Sequence, residues 1–258
     1  MTHESTTMKI CILGSGTGVP MLERSAPAYF LQCEAGEMLI DCGPGTLRQL
    51  LRISYGFENL TAVWMTHVHG DHMGELIPMM HAFRFPDISR TAPLIIYGPP
   101  GFSAFYDRVV RQTVGDPSTF ELTICELVPD ETVSLGRVQV RCAETVHSSR
   151  FVSLAYRFEI GGKAVVFSGD CDLDPAIVQL AEGAHWMVID CSSLDAGKIS
   201  GHLSAGECGK LAQKAGVESV VLSHLYPIPG DDAQRLEECR RHYSGRVVLA
   251  EDLAWYHV

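Results

Sequence analysis

The 258-residue sequence predicts an α/β fold in which β-sheets are covered by helices, and three observations carry that prediction. Short apolar segments repeatedly stop at a turn residue and a polar group. Capped helical patterns punctuate them. The stretch from about 121 to 167 is nearly all strand in character. The strand segments are Lys9–Leu13 running into Gly14, Met38–Ile40 into Asp41-Cys-Gly43, and Ala62–Met65 into Thr66-His67. Val165–Phe167 runs into Ser168-Gly-Asp170, Trp186–Ile189 into Asp190, and Val220–Leu222 into Ser223-His224. Apolar runs of this length, bounded this way, read as buried strands. Phe151–Ile160 and Lys163–Phe167, separated by Gly161-Gly162, predict a hairpin with a two-residue turn.

Helices are predicted from their ends. Asp174-Pro175 is an N-cap with proline at the first helical position, opening a helix to about Ala181. Ser204-Ala-Gly-Glu207 fits a capping box, Cys208, Leu211, Ala212 and Ala215 form one apolar face, and Gly216 closes the helix. Gly45–Ile53, Glu75–Phe85, Gly101–Thr113 and Asp232–His242 are further helix candidates. No linker, low-complexity tract or short-period repeat divides the chain, so residues 1–258 read as one domain.

Composition excludes several classes. Hydrophobic residues are 46% and charged residues 20%, which is globular and neither disordered nor collagenous. No apolar run approaches about 18 residues, so no membrane partner is expected. The polar start, Met1–Lys9, lacks the apolar core of a signal peptide. Nine cysteines without a Cys-x-x-Cys pair point to a reducing, cytoplasmic setting rather than a disulfide framework. The net charge of −11 disfavours generic polyanion binding.

The chemistry concentrates in Thr66-His67-Val-His69-Gly-Asp71-His72. Three imidazoles and a carboxylate within six residues, directly after a buried strand, are a metal-ligand pattern. His67 and His69 point the same way in an extended segment, and Gly70 lets the chain turn before Asp71 and His72. One ion fits His67 and His69, a second Asp71 and His72. Such donors suit Zn²⁺, with Mn²⁺ or Fe as alternatives. Ligands to complete two sites are expected at other strand ends: His147, Asp170 as a shared carboxylate, and His224. Taken singly, each of these three reads equally well as an ordinary core or loop residue. His3, His81, His185, His242 and His257 read as ordinary surface or core histidines.

This His-x-His-x-Asp-His pattern, with the later His, Asp and His, resembles the metallo-β-lactamase superfamily. Gly14-Ser-Gly-Thr-Gly-Val-Pro20, Ile40-Asp-Cys-Gly-Pro-Gly-Thr-Leu-Arg-Gln-Leu50, Ser168-Gly-Asp170, Gly201-His-Leu-Ser-Ala205 and Ser223-His-Leu225 are more specifically similar to its ribonuclease Z branch. The resemblance implies an αββα sandwich of two mixed β-sheets flanked by helices, with two divalent metal ions at one edge. It carries ligand roles to His67, His69, Asp71, His72, His147, Asp170 and His224. It further implies that Asp41 orients a ligand histidine and that His202 reaches the scissile phosphate as oxyanion contact or general acid. A turn-capping Asp41 and a plain loop His202 are the competing readings. Asp190 stands where the branch usually has a glutamate paired with that histidine, and it is one methylene shorter. The branch also implies a homodimer.

The function expected is metal-dependent hydrolysis of a small or nucleotide-like phosphodiester. A metal-bridging hydroxide would attack, Asp71 would guide the water proton and His202 would protonate the leaving oxygen. The tRNA 3′-end processing activity of the branch is the alternative. Against it, single-length bacterial members insert a tRNA-gripping arm between positions matching His147 and Asp170. Here those positions are 23 apart and a hairpin fills them. RNA is also disfavoured by charge. A thioester or lactone hydrolase is a third reading, disfavoured by the motifs at 201–205 and 40–50. A diiron oxygen-reducing module is disfavoured because His69 stands where such proteins carry glutamate. A non-catalytic metal-stabilised binding module would bind metal without ester turnover. The Gly14–Gly18 loop resembles a nucleotide-binding turn, but Pro20 and Pro27 crowd the helix such a site needs, so it reads as a tight loop beside the metals. Cys171 reads as a buried filler, and Arg24, Arg48 and Arg52 as solvated or helix-end charges. Phe83-Arg-Phe-Pro86 and Tyr226-Pro-Ile-Pro229 are expected to rim the site.

Overall fold

The structure is a computed structural model that describes residues 7–85, 88, 90–228 and 231–258. Its strands form two seven-stranded mixed sheets. Sheet one contains β1 (Lys9–Gly14), β2 (Ala28–Cys33), β3 (Gly36–Ile40), β4 (Ala62–Trp64), β5 (Leu94–Gly98) and β6 (Leu122–Glu126). The last strand, β14 (Trp255–His257), returns to pair antiparallel with β1, giving the order β14-β1-β2-β3-β4-β5-β6. Sheet two contains β7 (Thr132–Leu135), β8 (Val138–Glu144), β9 (Leu154–Ile160), β10 (Lys163–Phe167), β11 (Trp186–Asp190), β12 (Ser219–Ser223) and β13 (Arg246–Leu249), in reverse order from β13 to β7. In sheet one β3, β4, β5 and β6 run parallel. In sheet two β10, β11, β12 and β13 do so.

Side-chain alternation explains the layering. Ile10 and Ile12 of β1 point into the inter-sheet core with Tyr156, Phe158 and Val165 of sheet two. Cys11 and Leu13 point to the other face, against Leu50 of α1 (Thr46–Arg52) and Met79 and Met80 of α3 (Leu76–Ala82). Sheet two likewise buries Met187, Ile189, Val220 and Leu222 under α6 (Pro175–Leu180), α7 (Ala205–Ala215) and α8 (Asp231–Arg240). Period-two strands with apolar residues on both faces thus require cover on both, and four layers result.

The expected helix ends form. Asp174 Oδ1 accepts from Ala176 N–H at 2.7 Å. Ser204 and Glu207 make the reciprocal capping box, and Gly216 closes α7 at φ 64°. The 101–113 candidate is three pieces, α4 (Phe102–Tyr106), a π-helical turn (Asp107–Arg111) and α5 (Gln112–Val114). Strands β2, β5, β13 and β14 lie outside the segments anticipated from sequence; β14 is three residues long and owes its conformation to pairing with β1. Phe83 does not rim the site: it is buried against Phe57 and Phe120, which precede β4 and β6 at the far edge of the sheet. Pro86 and Pro229 of the two rim segments, like His3, lie outside the described residues. Among the described residues no helix is long and apolar enough to cross a membrane, and all nine cysteines are free thiols.

Candidate metal centre

Parallel strands deliver their carboxyl ends to one edge, and the polar residues collect there. Asp41 follows β3 and His67 follows β4. Asp170 follows β10, Asp190 ends β11 and His224 follows β12. Strand β8 is antiparallel to β9, itself antiparallel to β10, so the loop after β8 brings His147 to the same edge. His69 is the extended residue before α2 (Gly70–Met73), which carries Asp71 and His72 in its single turn. The chain turns at Gly70 without needing a glycine, since its φ is not positive and a Cβ there meets nothing within 4 Å. Gly43 is the constrained one: its Cβ would lie 2.0 Å from the Asp71 carbonyl oxygen. The Gly14–Gly18 loop does lie beside the site, with Gly18 packed on the Asp71 side chain.

Two donor groups result. In the first, His67 Nε2 and His147 Nε2 lie 3.0 and 3.1 Å from His69 Nδ1. Asp170 Oδ2 lies 3.7 and 3.6 Å from His67 and His147 Nε2. In the second, Asp71 Oδ2 is 3.8 Å from His72 Nε2 and 3.6 Å from His224 Nε2. Asp170 Oδ1 is 3.2 and 3.3 Å from the same two nitrogens. Asp170 therefore turns one oxygen to each group. Edges of this length match tetrahedral coordination with metal–nitrogen distances of about 2.0–2.1 Å.

The fit to metal is tested by atoms without partners. His72 Nε2, His224 Nε2 and Asp170 Oδ1 are buried, hydrogen-bond to nothing and converge on one point. Leaving buried polar atoms unpaired is costly unless a ligand meets them. The donor sets, three His with one carboxylate and two His with two carboxylates, suit divalent ions.

Outer hydrogen bonds fix each ring. Asp41 Oδ2 faces His72 Nδ1 at 2.7 Å, while Oδ1 accepts from Thr66 N–H at 2.8 Å. The Thr66 hydroxyl donates to Asp41 and lies 3.0 Å from His67 Nδ1. One buried aspartate thus orients a ligand of each group. On sheet two the arrangement repeats: Ser192 Oγ donates to Asp190 Oδ1 at 2.7 Å and lies 2.9 Å from His224 Nδ1. His147 Nδ1 is held by Gly201 O at 2.9 Å. Asp41 and His224 both adopt positive φ, 59° and 56°. Such strain, of order 1–3 kcal/mol per residue, clusters at functional sites.

Asp190 Oδ2 also meets His202 Nδ1 at 2.9 Å, so the shorter carboxylate still makes the pairing. Burial opposes charge on His202, but the Asp190 hydrogen bond and charge outweigh it and raise the imidazole to about 9. Burial and the neighbouring His72 hold His67 well below its usual range, which keeps it neutral as a ligand must be. Asp71 is held down at about 2: burial opposes, but the nearby imidazoles of His224 and His72 prevail.

All seven expected ligands, with Asp41, Asp190 and His202, are therefore brought together. None of His81, His185, His242 and His257 joins the cluster among the described residues. Cys171 is a buried thiol whose N–H donates to Asp190. Sequence reasoning missed Thr66 and Ser192, whose only signal is that one precedes His67 and the other follows Asp190 by two residues. It also missed Phe151, whose ring lies 5.6 and 4.8 Å from His67 and His69.

The chain matches the Beta-lactamase superfamily domain over residues 37–225. It is 28% identical to the ribonuclease Z of Methanosarcina acetivorans, covering 95% of this chain and 96% of that protein. The metallo-β-lactamase fold protein YhfI of Bacillus subtilis superposes with TM-score 0.84 at 24% identity, covering 98% and 100% of the two chains. The short form of human tRNase Z superposes with TM-score 0.79 at 24% identity, covering 96% and 98%. The four-layer fold, the ligand motifs and these matches establish that the chain belongs to the metallo-β-lactamase superfamily, in its ribonuclease Z-like branch.

Proposed function

We propose that the chain is a metal-dependent hydrolase that cleaves a small or nucleotide-like phosphodiester. The observation that carries this reading is Asp170, whose two buried oxygens face two separate groups of imidazoles. His67, His69 and His147 with Asp170 would hold one ion, and Asp71, His72 and His224 with Asp170 would hold the other. Zn²⁺ suits both sets. When bound, two such ions supply Lewis-acid charge and an activated water. Asp71 would serve as a ligand and, as a carboxylate beside that water, would accept its proton. His202, charged through Asp190, stands ready to donate its other ring proton to the leaving oxygen. Phosphodiester chemistry is favoured over thioester or lactone chemistry because the curated relatives are ribonucleases. The same relatives make precursor tRNA the second reading. Against it, β9 and β10 fill the interval from His147 to Asp170. Free cysteines throughout fit a cytoplasmic setting, and the branch points to a homodimer of single-domain chains.

The test is hydrolysis of bis(p-nitrophenyl) phosphate by metal-loaded protein, beside a thioester and a precursor tRNA, with Asp71→Ala as control. Diester turnover lost in the variant supports the reading. Specific 3′ cleavage of the tRNA replaces it with the second reading. Protein holding two metals per chain without diester turnover refutes it.

A further inference from the structure

We propose that the substrate is a phosphodiester bearing an uncharged apolar or aromatic ester group, seated in a cleft beside Asp71 and centred on Met21. This rests on the phosphodiesterase reading and adds the substrate class to it. A cavity of about 550 Å³ is lined by Gly18, Pro20, Met21, Ala26, Pro44 and Asp71. Asp71 is shared with the metal centre, where its Oδ2 approaches His224 and His72. A second hollow of about 640 Å³ shares Met21 and Arg24 and is walled by Tyr226, Pro227 and Ile228. The Tyr226 ring lies 6.1 Å from His202 and 5.8 Å from His224. Met21 therefore stands between two hollows that both border the reacting edge.

Charge decides what fits there. Among the described residues, Arg24 is the only cation lining either hollow. Its guanidinium is engaged by Ser15 Oγ at 2.8 Å, by the Ala250 carbonyl and by Asp232 Oδ2 at 3.2 Å. Glu23 lines the same surface, while Asp232 is paired with Arg24 and Asp71 belongs to the metal centre. A nucleic-acid strand places a phosphate on each side of the scissile one and needs lysine or arginine to neutralise it. Here those phosphates would find no unengaged cation among the described lining residues. An uncharged group instead gains contact with proline and with methionine, whose unbranched side chain adapts to varied shapes. Val19, 44% exposed, and Leu22, 99% exposed, extend the same segment with further apolar surface.

The experiment keeps p-nitrophenolate as leaving group and varies the other ester group between methyl, phenyl and a phosphorylated alkyl. The expected result is a kcat/KM for phenyl about 10- to 100-fold above methyl, the scale of burying one ring, and lowest for the phosphorylated group. Met21→Glu is expected to bring the phenyl-to-methyl ratio near one. An independent readout uses ¹³C-methyl methionine: phenylphosphonate, which has no ester bond, shifts the Met21 resonance and methylphosphonate does not. Turnover with a ratio near one in the parent protein, or preference for the phosphorylated ester, overturns this inference and leaves the phosphodiesterase reading standing. No turnover of any diester overturns both.

Discussion

Replacing Asp41 with asparagine exchanges one oxygen for an amino group and separates the two metal positions. Asn accepts the positive φ of this residue, 59°, so the backbone is kept. Thr66 donates both its N–H and its hydroxyl to the carboxylate, which holds the amide oxygen on that side. The amino group then replaces Oδ2, 2.7 Å from His72 Nδ1. Two donors cannot face each other, so Nδ1 gives up its proton and Nε2 takes it. Nε2 is the atom 3.2 Å from Asp170 Oδ1, and once protonated it cannot ligate. Turning the amide over instead sets its amino group against the Thr66 N–H in a fully buried place. Either way one charge-assisted hydrogen bond is lost, about 1.5–3 kcal/mol. That corresponds to roughly 10- to 100-fold in affinity for the second ion. The Thr66 link to His67 survives, so the first position changes by roughly threefold at most. Titration of metal-free protein with Zn²⁺ against a chromophoric chelator reads both steps, and circular dichroism checks the fold. Two steps of unchanged affinity in a folded variant would refute this role for Asp41.

Three further outcomes are expected. In metal-free protein, the His202 ring titrates near 9 by NMR, and Asp190→Asn brings it back toward its ordinary value. Because the folded-state pKa is raised, the pair's stabilisation is complete below the unfolded value of about 6.5 and disappears as pH rises through about 9; an unshifted ring would refute the pairing. Chelation from 100-fold metal excess over Kd removes about 2.7 kcal/mol per site, lowering the calorimetric Tm by roughly 10 °C or more; an unchanged Tm would remove the metal assignment. Lys198 Nζ binds Asp172 Oδ1 at 2.6 Å, the His202 carbonyl and Glu207, while Asp172 Oδ2 holds the N–H of Gly201, whose carbonyl holds His147. Lys198→Met should therefore cost about 1–2 kcal/mol in denaturant unfolding and about tenfold in first-site metal affinity, with Lys198→Arg recovering part of both.

The sequence by itself determined what depends on near neighbours. His67, His69, Asp71 and His72 are readable because one strand exit and one helical turn set their directions. The caps at Asp174 and Ser204 are readable because a cap closes within three residues. Their places at strand ends made His147, Asp170 and His224 candidates, and the resemblance carried ligand roles to them, since no local rule joins them to the 67–72 segment. The tertiary structure alone decided that Asp170 divides its oxygens between two groups, since that depends on where β10 sits relative to β4 of the other sheet and to β8 and β12 of its own. It decided that Thr66 and Ser192 relay two aspartates to two histidines, His67 and His224, and that Phe83 is core and not rim. It also decided that Arg24 is engaged, by residues more than 200 positions away. Periodicity and capping act over a few residues along the chain, whereas coordination, relays and pockets are set by distances across two sheets.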